Sequence, residues 1–178
     1  AMPDKVSPVQ ALSAASRAWG EIGERSAAPH WAMVVDRERC IGCWSCAVIC
    51  KSENAVPLGM WWNRILTAGA ALDTPATDEH GRHDLHWVPL ACQHCDDAPC
   101  LPVCKADAIY KRDDGLVIID PKKCTGCKLC SDACPYDAIY FNEGLNIAQK
   151  CTGCAHLLDD GWDVPRCVDN CAVGALKF

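Results

Sequence analysis

The residues CTGCKLCSDACP, 124–135, are the most informative segment of this chain. Its four cysteines are separated by three, three and four residues, and a proline follows the last of them. This spacing matches the bacterial iron-sulfur run C-x2-C-x2-C-x3-C-P. A short loop of this kind can bring three thiolates onto one cluster, whereas the fourth cysteine, on the following helical turn, points away. The stretch therefore predicts an iron-sulfur site.

A zinc site is the alternative interpretation of this stretch. Pairs of the form C-x2-C also build structural zinc sites, in which zinc takes four ligands. A third thiol three residues beyond such a pair has no role there, whereas in two-cluster ferredoxins even the fourth cysteine is used, because it ligates the other cluster. Iron-sulfur binding is therefore favoured over a cysteine-rich zinc scaffold.

Cysteines are grouped in this way four times along the chain. Every group opens with a gap of three residues and closes with a gap of four, and the groups use all sixteen cysteines. Disulfide pairing would also need an even number, but it would not require this spacing. The groups are Cys40, Cys43, Cys46 and Cys50; Cys92, Cys95, Cys100 and Cys104; Cys124, Cys127, Cys130 and Cys134; and Cys151, Cys154, Cys167 and Cys171. They predict four 4Fe-4S clusters.

Short apolar runs follow the second and third motifs. Residues 108–110 and 116–119 flank one set of turn residues, and residues 138–141 and 145–147 flank another. The order of run, turn and run predicts a hairpin. Because this pattern recurs at the same distance from the preceding cysteine, the chain contains an internal repeat. The repeat predicts an α+β fold of the ferredoxin type.

A segment without cysteines, residues 51–91, separates the first motif from the second. Apolar runs near its two ends and turn residues between them predict a long hairpin insert. Aromatic residues are enriched at the centres of protein interfaces. Trp61, Trp62 and Trp87 therefore make the insert a candidate docking surface, and the alternative is that they cover the first cluster.

The first residues of the chain predict a helical arm, residues 1–30. Ser7 and Pro8 form a helix start, with a serine cap and a proline at the first helical position. Apolar residues then recur at helical spacing. The arm packs either on its own domain or on a partner.

Charge and hydropathy exclude several classes of partner. The net charge is -6 and no run of basic residues tracks a phosphate backbone, so no nucleic acid partner is expected. No apolar stretch is long enough for a membrane-spanning helix. A secretory signal segment and an adjacent pair of arginines are absent from these residues, which predicts a cytoplasmic location. The alternative is a periplasmic location reached by export with a signal-bearing partner.

The motifs together resemble a known family. Their order, the widened middle gap of the second, the proline after the third only and the long loop inside the fourth are similar to the four-cluster electron-transfer subunit of the DMSO reductase family of molybdenum and tungsten enzymes. The stretches CQHCDDAPC, KRDDGLVIID and CTGCKLCSDACPYDAI carry this resemblance, which covers residues 31–178. It implies one domain, 31–178, of two nested ferredoxin-like halves, in which motif one pairs with motif four and motif two with motif three.

The resemblance also implies which cysteines share a cluster. Each set takes three cysteines from one motif and the fourth from its paired motif. The implied sets are Cys40, Cys43, Cys46 with Cys171; Cys151, Cys154, Cys167 with Cys50; Cys92, Cys95, Cys100 with Cys134; and Cys124, Cys127, Cys130 with Cys104.

The function implied by the resemblance is electron transfer. The chain would connect a large molybdopterin catalytic subunit, with molybdenum or tungsten, to an external electron donor or acceptor, and a further redox subunit is an additional partner. No catalytic residue is expected in this chain. A free polyferredoxin is the alternative, favoured by the short segment after Cys171.

Three further residues lie beside cysteines. His94, between Cys92 and Cys95, is expected to hydrogen-bond to the backbone rather than to act in catalysis. Lys51 and Lys105 each follow a fourth cysteine, where they either raise a cluster potential or are simply solvated.

Overall fold

The computed structural model describes residues 30–68 and 85–178, which form two compact units. The first unit consists of residues 30–31 and 92–153, and the second of residues 32–68, 85–91 and 154–178. The first unit contains the second and third cysteine motifs. The second unit contains the first motif and most of the fourth motif. The predicted N-terminal helix and the middle of the insert lie outside the described residues.

Short helices and short antiparallel strand pairs make up both units, which confirms the predicted α+β class. The helices are α1 (Ser45–Glu53), α2 (Leu129–Ala133), α3 (Ala155–Asp159) and α4 (Arg166–Asp169). The strands are β1 (Val34–Val35), β2 (Arg64–Ala68), β3 (His86–Leu90), β4 (Ile109–Lys111), β5 (Val117–Ile119), β6 (Ile139–Asn142), β7 (Ile147–Lys150) and β8 (Leu176–Lys177). Among the described residues, no helix is long and apolar enough to cross a membrane.

Two hairpins organise the first unit. Strand β4 pairs with β5, and β6 pairs with β7, each pair being antiparallel. Their buried aliphatic side chains form one core with the thiols of Cys100, Cys130 and Cys134. The core of this unit is therefore built jointly from hydrocarbon and sulfur.

The second strand of the β6–β7 hairpin begins later than the sequence predicts. The expected strand was residues 145–147, whereas β7 starts at Ile147. The side-chain oxygen of Asn142 accepts a hydrogen bond from the backbone N–H of Leu145 at 3.1 Å, and Asn146 has a φ of 55°. These two features extend the turn, since asparagine side chains bond to nearby backbone and tolerate the left-handed region. Leu145 consequently lies in the turn and is 62% exposed.

The second unit contains two strand pairs. Strand β1 pairs with β8, with Val34 opposite Lys177, and β2 pairs antiparallel with β3, the two ends of the insert. Their side chains bury Ile65 and Leu176 together with Cys46 and Cys167. Thiols again stand among the few aliphatic residues of the core.

Strand β3 also covers the loop of the first motif. A Cβ atom at Gly42 would lie 2.5 Å from the ring of Trp87, so only glycine fits under this ring. Gly42 also has a φ of 66°, a conformation that glycine adopts without the steric cost other residues incur. Trp87 and the backbone of the Cys40–Cys43 loop are therefore in direct contact.

We expect Gly42→Ala to destabilise the second unit more than Gly59→Ala does. Gly59 has a φ of 81° but no atom within 4 Å of an added Cβ, so its substitution measures the backbone cost alone. That cost is about 1–2 kcal/mol, and overpacking against Trp87 adds roughly 1–3 kcal/mol at Gly42. The check is the denaturant midpoint of each variant under anaerobic conditions, followed by tryptophan fluorescence. Equal midpoints for the two variants would show that Trp87 does not press on Gly42.

Candidate metal centres

Four cysteines from two motifs line one recess of the first unit, called the Cys124 recess. Cys104 of the second motif lies there with Cys124, Cys127 and Cys130 of the third. The recess contains about 320 Å³ of empty space, part of it open to solvent. Burial, followed by repulsion from the other three thiols, raises the pKa of Cys130 to about 11. The four sulfur atoms therefore face a common centre.

A second recess with the same character lies in the second unit, called the Cys40 recess. Its four thiols are those of Cys40, Cys43, Cys46 and Cys171, around about 340 Å³ of empty space that also opens to solvent. Burial is the main cause that raises the pKa of Cys46, and a hydrogen bond from Asn63 lowers it. The other three thiols raise this pKa further. The fourth cysteine of motif four thus joins the first three of motif one.

A third group of thiols lies in the first unit, called the Cys92 set: Cys92, Cys95, Cys100 and Cys134. Burial is the main cause that raises the pKa of Cys100 to about 11, and the thiols of Cys92 and Cys134 raise it further. Burial and the same two thiols also raise the pKa of Cys95. Cys134 of the third motif therefore lies among the cysteines of the second.

Part of the remaining set is assembled in the second unit around Asn54. The side-chain amide of Asn54 donates to Cys50 Sγ at 3.8 Å and to the Cys50 carbonyl at 3.0 Å. Burial raises the pKa of Cys154, whereas a hydrogen bond from Asn54 lowers it. Cys167 is buried in the core of the same unit. Cys151 belongs to the range of the first unit, so its place in this set stays a prediction.

The size of the two recesses suits a multi-atom cluster better than one ion. Zinc holds its thiolates at about 2.3 Å, which requires four sulfur atoms in mutual contact. Among the described residues, no group of three or more His, Cys, Asp or Glu side chains could hold a single metal ion. All sixteen cysteines, which lie within the described ranges, are free of disulfides. The donor sets fit groups that fill a recess, such as 4Fe-4S clusters.

Comparisons with known proteins agree with this chemistry. Residues 83–178 match the 4Fe-4S dicluster domain family. A protein of Halobacterium salinarum, provisionally named as an iron-sulfur subunit of dimethyl sulfoxide reductase, is 44% identical, covering 84% of this chain and 65% of its own length. A subunit of the tetrathionate reductase of Salmonella typhimurium is 40% identical, covering 85% of this chain and 58% of its own. One chain of the anaerobic dimethyl sulfoxide reductase of Escherichia coli is 34% identical, covering 84% and 73%.

The chain belongs to the iron-sulfur electron-transfer subunits of the DMSO reductase family. This confirms the resemblance seen in the motifs, and it identifies 4Fe-4S clusters as the cofactors of this subunit. The chain spans 65% and 58% of the length of the first two relatives.

Backbone N–H groups donate to cysteine sulfur atoms in this iron-sulfur subunit. Ala138 donates to Cys134 Sγ at 3.4 Å, and Ala175 donates to Cys171 Sγ at 3.3 Å. Both donors stand four residues after the fourth cysteine of a motif, as expected of an internal repeat. Hydrogen bonds of this kind favour the thiolate form and are among the features that set a cluster's potential.

The two lysines singled out in the sequence have different surroundings. Lys51 Nζ donates to the carbonyls of Pro57 and Met60, the second at 2.8 Å, and lies 4.8 Å from the centre of the Trp61 ring. It therefore holds the turn that follows α1. Lys105 is exposed, as expected of a solvated lysine.

The tryptophans of the insert contact their own unit. Trp87 covers Gly42, and the Trp61 ring meets the ring of Trp44 edge-on at 5.6 Å. The indole nitrogen of Trp62 is buried and has no hydrogen-bond partner in the part of the chain that the structure describes. These contacts favour the alternative in which the tryptophans cover the first motif rather than form a docking surface.

Sequence reasoning missed four residues that support the sites, because their roles depend on burial and on contacts that spacing alone does not show. They are Trp44, Asn54, Asn63 and Lys150. Three of them carried a local signal: Asn54 stands four residues after Cys50, a helical spacing, and Trp44 and Lys150 each lie beside a cysteine.

Proposed function

We propose that this iron-sulfur subunit carries electrons through four 4Fe-4S clusters between a molybdopterin catalytic subunit and an external donor or acceptor. The observation that carries the proposal is the Cys124 recess, where Cys104 completes the three thiols of another motif. Such exchange of the fourth cysteine is the ligand pattern of two-cluster ferredoxins. Each cluster supplies one-electron redox chemistry.

The proposed ligand sets are those implied by the family resemblance. The Cys124 recess, the Cys40 recess and the Cys92 set support three of them. The contacts of Asn54 with Cys50 and Cys154 support the fourth, in which Cys151 and Cys167 are the other ligands. The nested pairing of motif one with four and of motif two with three follows from these sets.

The protein binds the clusters through thiolates that it holds in buried places. Because burial and mutual repulsion raise the pKa values of Cys46, Cys100 and Cys130, these thiols release protons when iron binds. Seven of the sixteen cysteines are buried and seven are half-buried, whereas Cys43 and Cys127 are exposed. We propose that electrons enter and leave beside these two cysteines.

The catalytic partner is proposed to dock on the apolar surface beside Cys43. Ile41, Trp44 and Val48 are 58%, 41% and 56% exposed, although monomeric proteins tend to expose such residues singly. Trp44 and Val48 are one helical turn apart, since the N–H of Val48 donates to the carbonyl of Trp44 at 2.9 Å. Relatives whose names make them one component of a reductase support a larger assembly. The surface at Ile41, Trp44 and Val48 would place the partner next to an exposed ligand.

Metal content tests the cluster proposal directly. Anaerobically purified chain should contain about 16 iron atoms and a matching amount of acid-labile sulfide, four of each for every set of four cysteines. Elemental analysis and sulfide assay provide the measurement. About four zinc atoms per chain with little sulfide would establish the zinc scaffold instead.

Substitution of one ligand tests the proposed sets. Cys130→Ser should damage the cluster of the Cys124 recess alone, because Cys130 belongs to that proposed ligand set and to no other. Iron content should fall from about 16 to about 12, or less steeply if a three-iron cluster remains, and the electron paramagnetic resonance signals of three clusters should persist. Ser131→Ala, at the adjacent position, should retain all the iron. Loss of every signal in Cys130→Ser would show that the clusters assemble as one cooperative unit.

A matched pair of surface substitutions tests the docking surface. Val48→Glu should weaken binding of the catalytic subunit at least about tenfold, which is 1.4 kcal/mol, because a carboxylate would be buried in an apolar interface. Leu145→Glu, at a residue of similar exposure in the first unit, should leave the affinity unchanged. Affinities of the cluster-loaded chains are compared by surface binding or co-purification. Equal effects of the two substitutions on the affinity would refute the proposed docking surface. A parent chain that purifies without a catalytic subunit would favour the free polyferredoxin.

A further inference from the structure

Lys150 is a lysine buried in the first unit. It stands at the end of β7, directly before Cys151, and is only 2% exposed. Its ammonium group donates to the carbonyl oxygens of Val117 and of Cys151, the latter at 3.0 Å. An ammonium has three donors, so these carbonyls account for two of them.

The charge of Lys150 has no carboxylate partner in the described ranges. The ion pairs found there involve other residues. Burying a charge is costly unless it is paired, and buried lysines are rare for this reason. Two neutral carbonyls accept two of its three hydrogen bonds but leave its charge without compensation. A negative group that binds to the protein would provide the missing counter-charge.

The thiols of the Cys92 set lie within reach of this charge. Burial raises the pKa of Cys100 and the positive charge of Lys150 lowers it, so the two groups interact electrostatically. Lys150 also acts on His94, between Cys92 and Cys95, where burial and then Lys150 lower the pKa to about 3. Lys150 therefore lies close enough to influence a cluster in the Cys92 set.

The backbone of β5 fixes both side chains. The N–H of Val117 donates to Nδ1 of His94 at 2.9 Å, and the carbonyl of Val117 accepts from Lys150. The neutral imidazole then carries its proton on Nε2, which is buried and has no hydrogen-bond partner among the described residues. A buried cation and a buried N–H donor thus stand together beside the same thiols.

We propose that Lys150 raises the reduction potential of the 4Fe-4S cluster bound by the Cys92 set. This inference rests on the proposed function, since it requires a cluster at that site. On reduction, the cluster accepts one electron from an external donor and gains one negative charge. A fixed buried cation stabilises the reduced form more than the oxidised form, because the attraction grows with the charge and is weakly screened in the interior. Lys150 acts on the cluster through its charge, and it does not contact a substrate.

Lys111 provides a matched comparison within the same unit. Its ammonium also lies beside the Cys92 set, donating to the carbonyl of Cys95 at 3.4 Å. Unlike Lys150, it forms an ion pair with the carboxylate of Asp96 at 2.6 Å, and the Asp96 side chain is 82% exposed. Its charge is compensated and partly screened by solvent. Neutralising Lys111 should therefore affect the cluster much less.

The test compares Lys150→Met, Lys150→Gln and Lys111→Met in the full, cluster-loaded chain. Midpoint potentials are measured by redox titration with electron paramagnetic resonance, and the signal of the Cys92 set is assigned by its loss in Cys95→Ser. Both Lys150 variants should make reduction of this cluster at least about tenfold less favourable, which is 59 mV for one electron. The iron content of these variants should be unchanged. Lys111→Met should shift the midpoint potential less, and Lys150→Arg, which keeps the positive charge, should retain the parent potential.

Three outcomes would overturn the inference. The first is an unchanged potential in both neutral Lys150 variants at full iron content, and the second is an equal shift in Lys111→Met. The third is loss of iron from both neutral variants, which would assign Lys150 to folding alone. A parent chain without a 4Fe-4S signal from the Cys92 set would instead refute the proposed function.

Discussion

Convergence of cysteine side chains on shared centres is the constraint on which both units depend. Each core contains only a few aliphatic side chains, and buried thiols lie among them. Without a metal, these thiols would stay protonated, because burial and the neighbouring thiols raise the pKa values of Cys100 and Cys130. With the proposed ligand sets, iron coordination would turn the same positions into cross-links between distant segments of the chain. Folding and cluster assembly are consequently coupled, as in other small metal-binding domains.

The tight loops impose a second constraint, at the residue before the second cysteine of each motif. Glycine occupies this position in three motifs, and His94 occupies it in the second. All four residues have a positive φ, 45° in the case of His94. A side chain in this conformation costs about 1–2 kcal/mol relative to glycine. His94 offsets this cost through its hydrogen bond with the N–H of Val117, which would otherwise be an unpaired group at the edge of β5.

The sequence predicts the local features of this fold well, because the spacing of ligands and turns is a property of short segments. The hairpins after the second and third motifs and the grouping of sixteen cysteines follow from such spacing. Features that depend on long-range packing could not be predicted in this way. The start of β7 is set by the bond between Asn142 and Leu145, and the burial of Lys150 is set by the distant β5 strand. Which fourth cysteine joins which motif came only from the family resemblance, since spacing within one motif does not identify the paired motif.

The cations near the ligands differ mainly in how their charge is compensated. Lys128, beside the exposed Cys127, is exposed and lies 4.1 Å from the centre of the Phe141 ring. Lys111 is paired with a carboxylate, whereas Lys150 is buried with only carbonyl partners. In a chain with a net charge of -6, whose clusters add further negative charge, an uncompensated buried cation changes the local field more than a solvated one. We therefore attribute the proposed shift in the potential of the Cys92-set cluster to the buried position of Lys150, rather than to the number of lysines beside the cysteines.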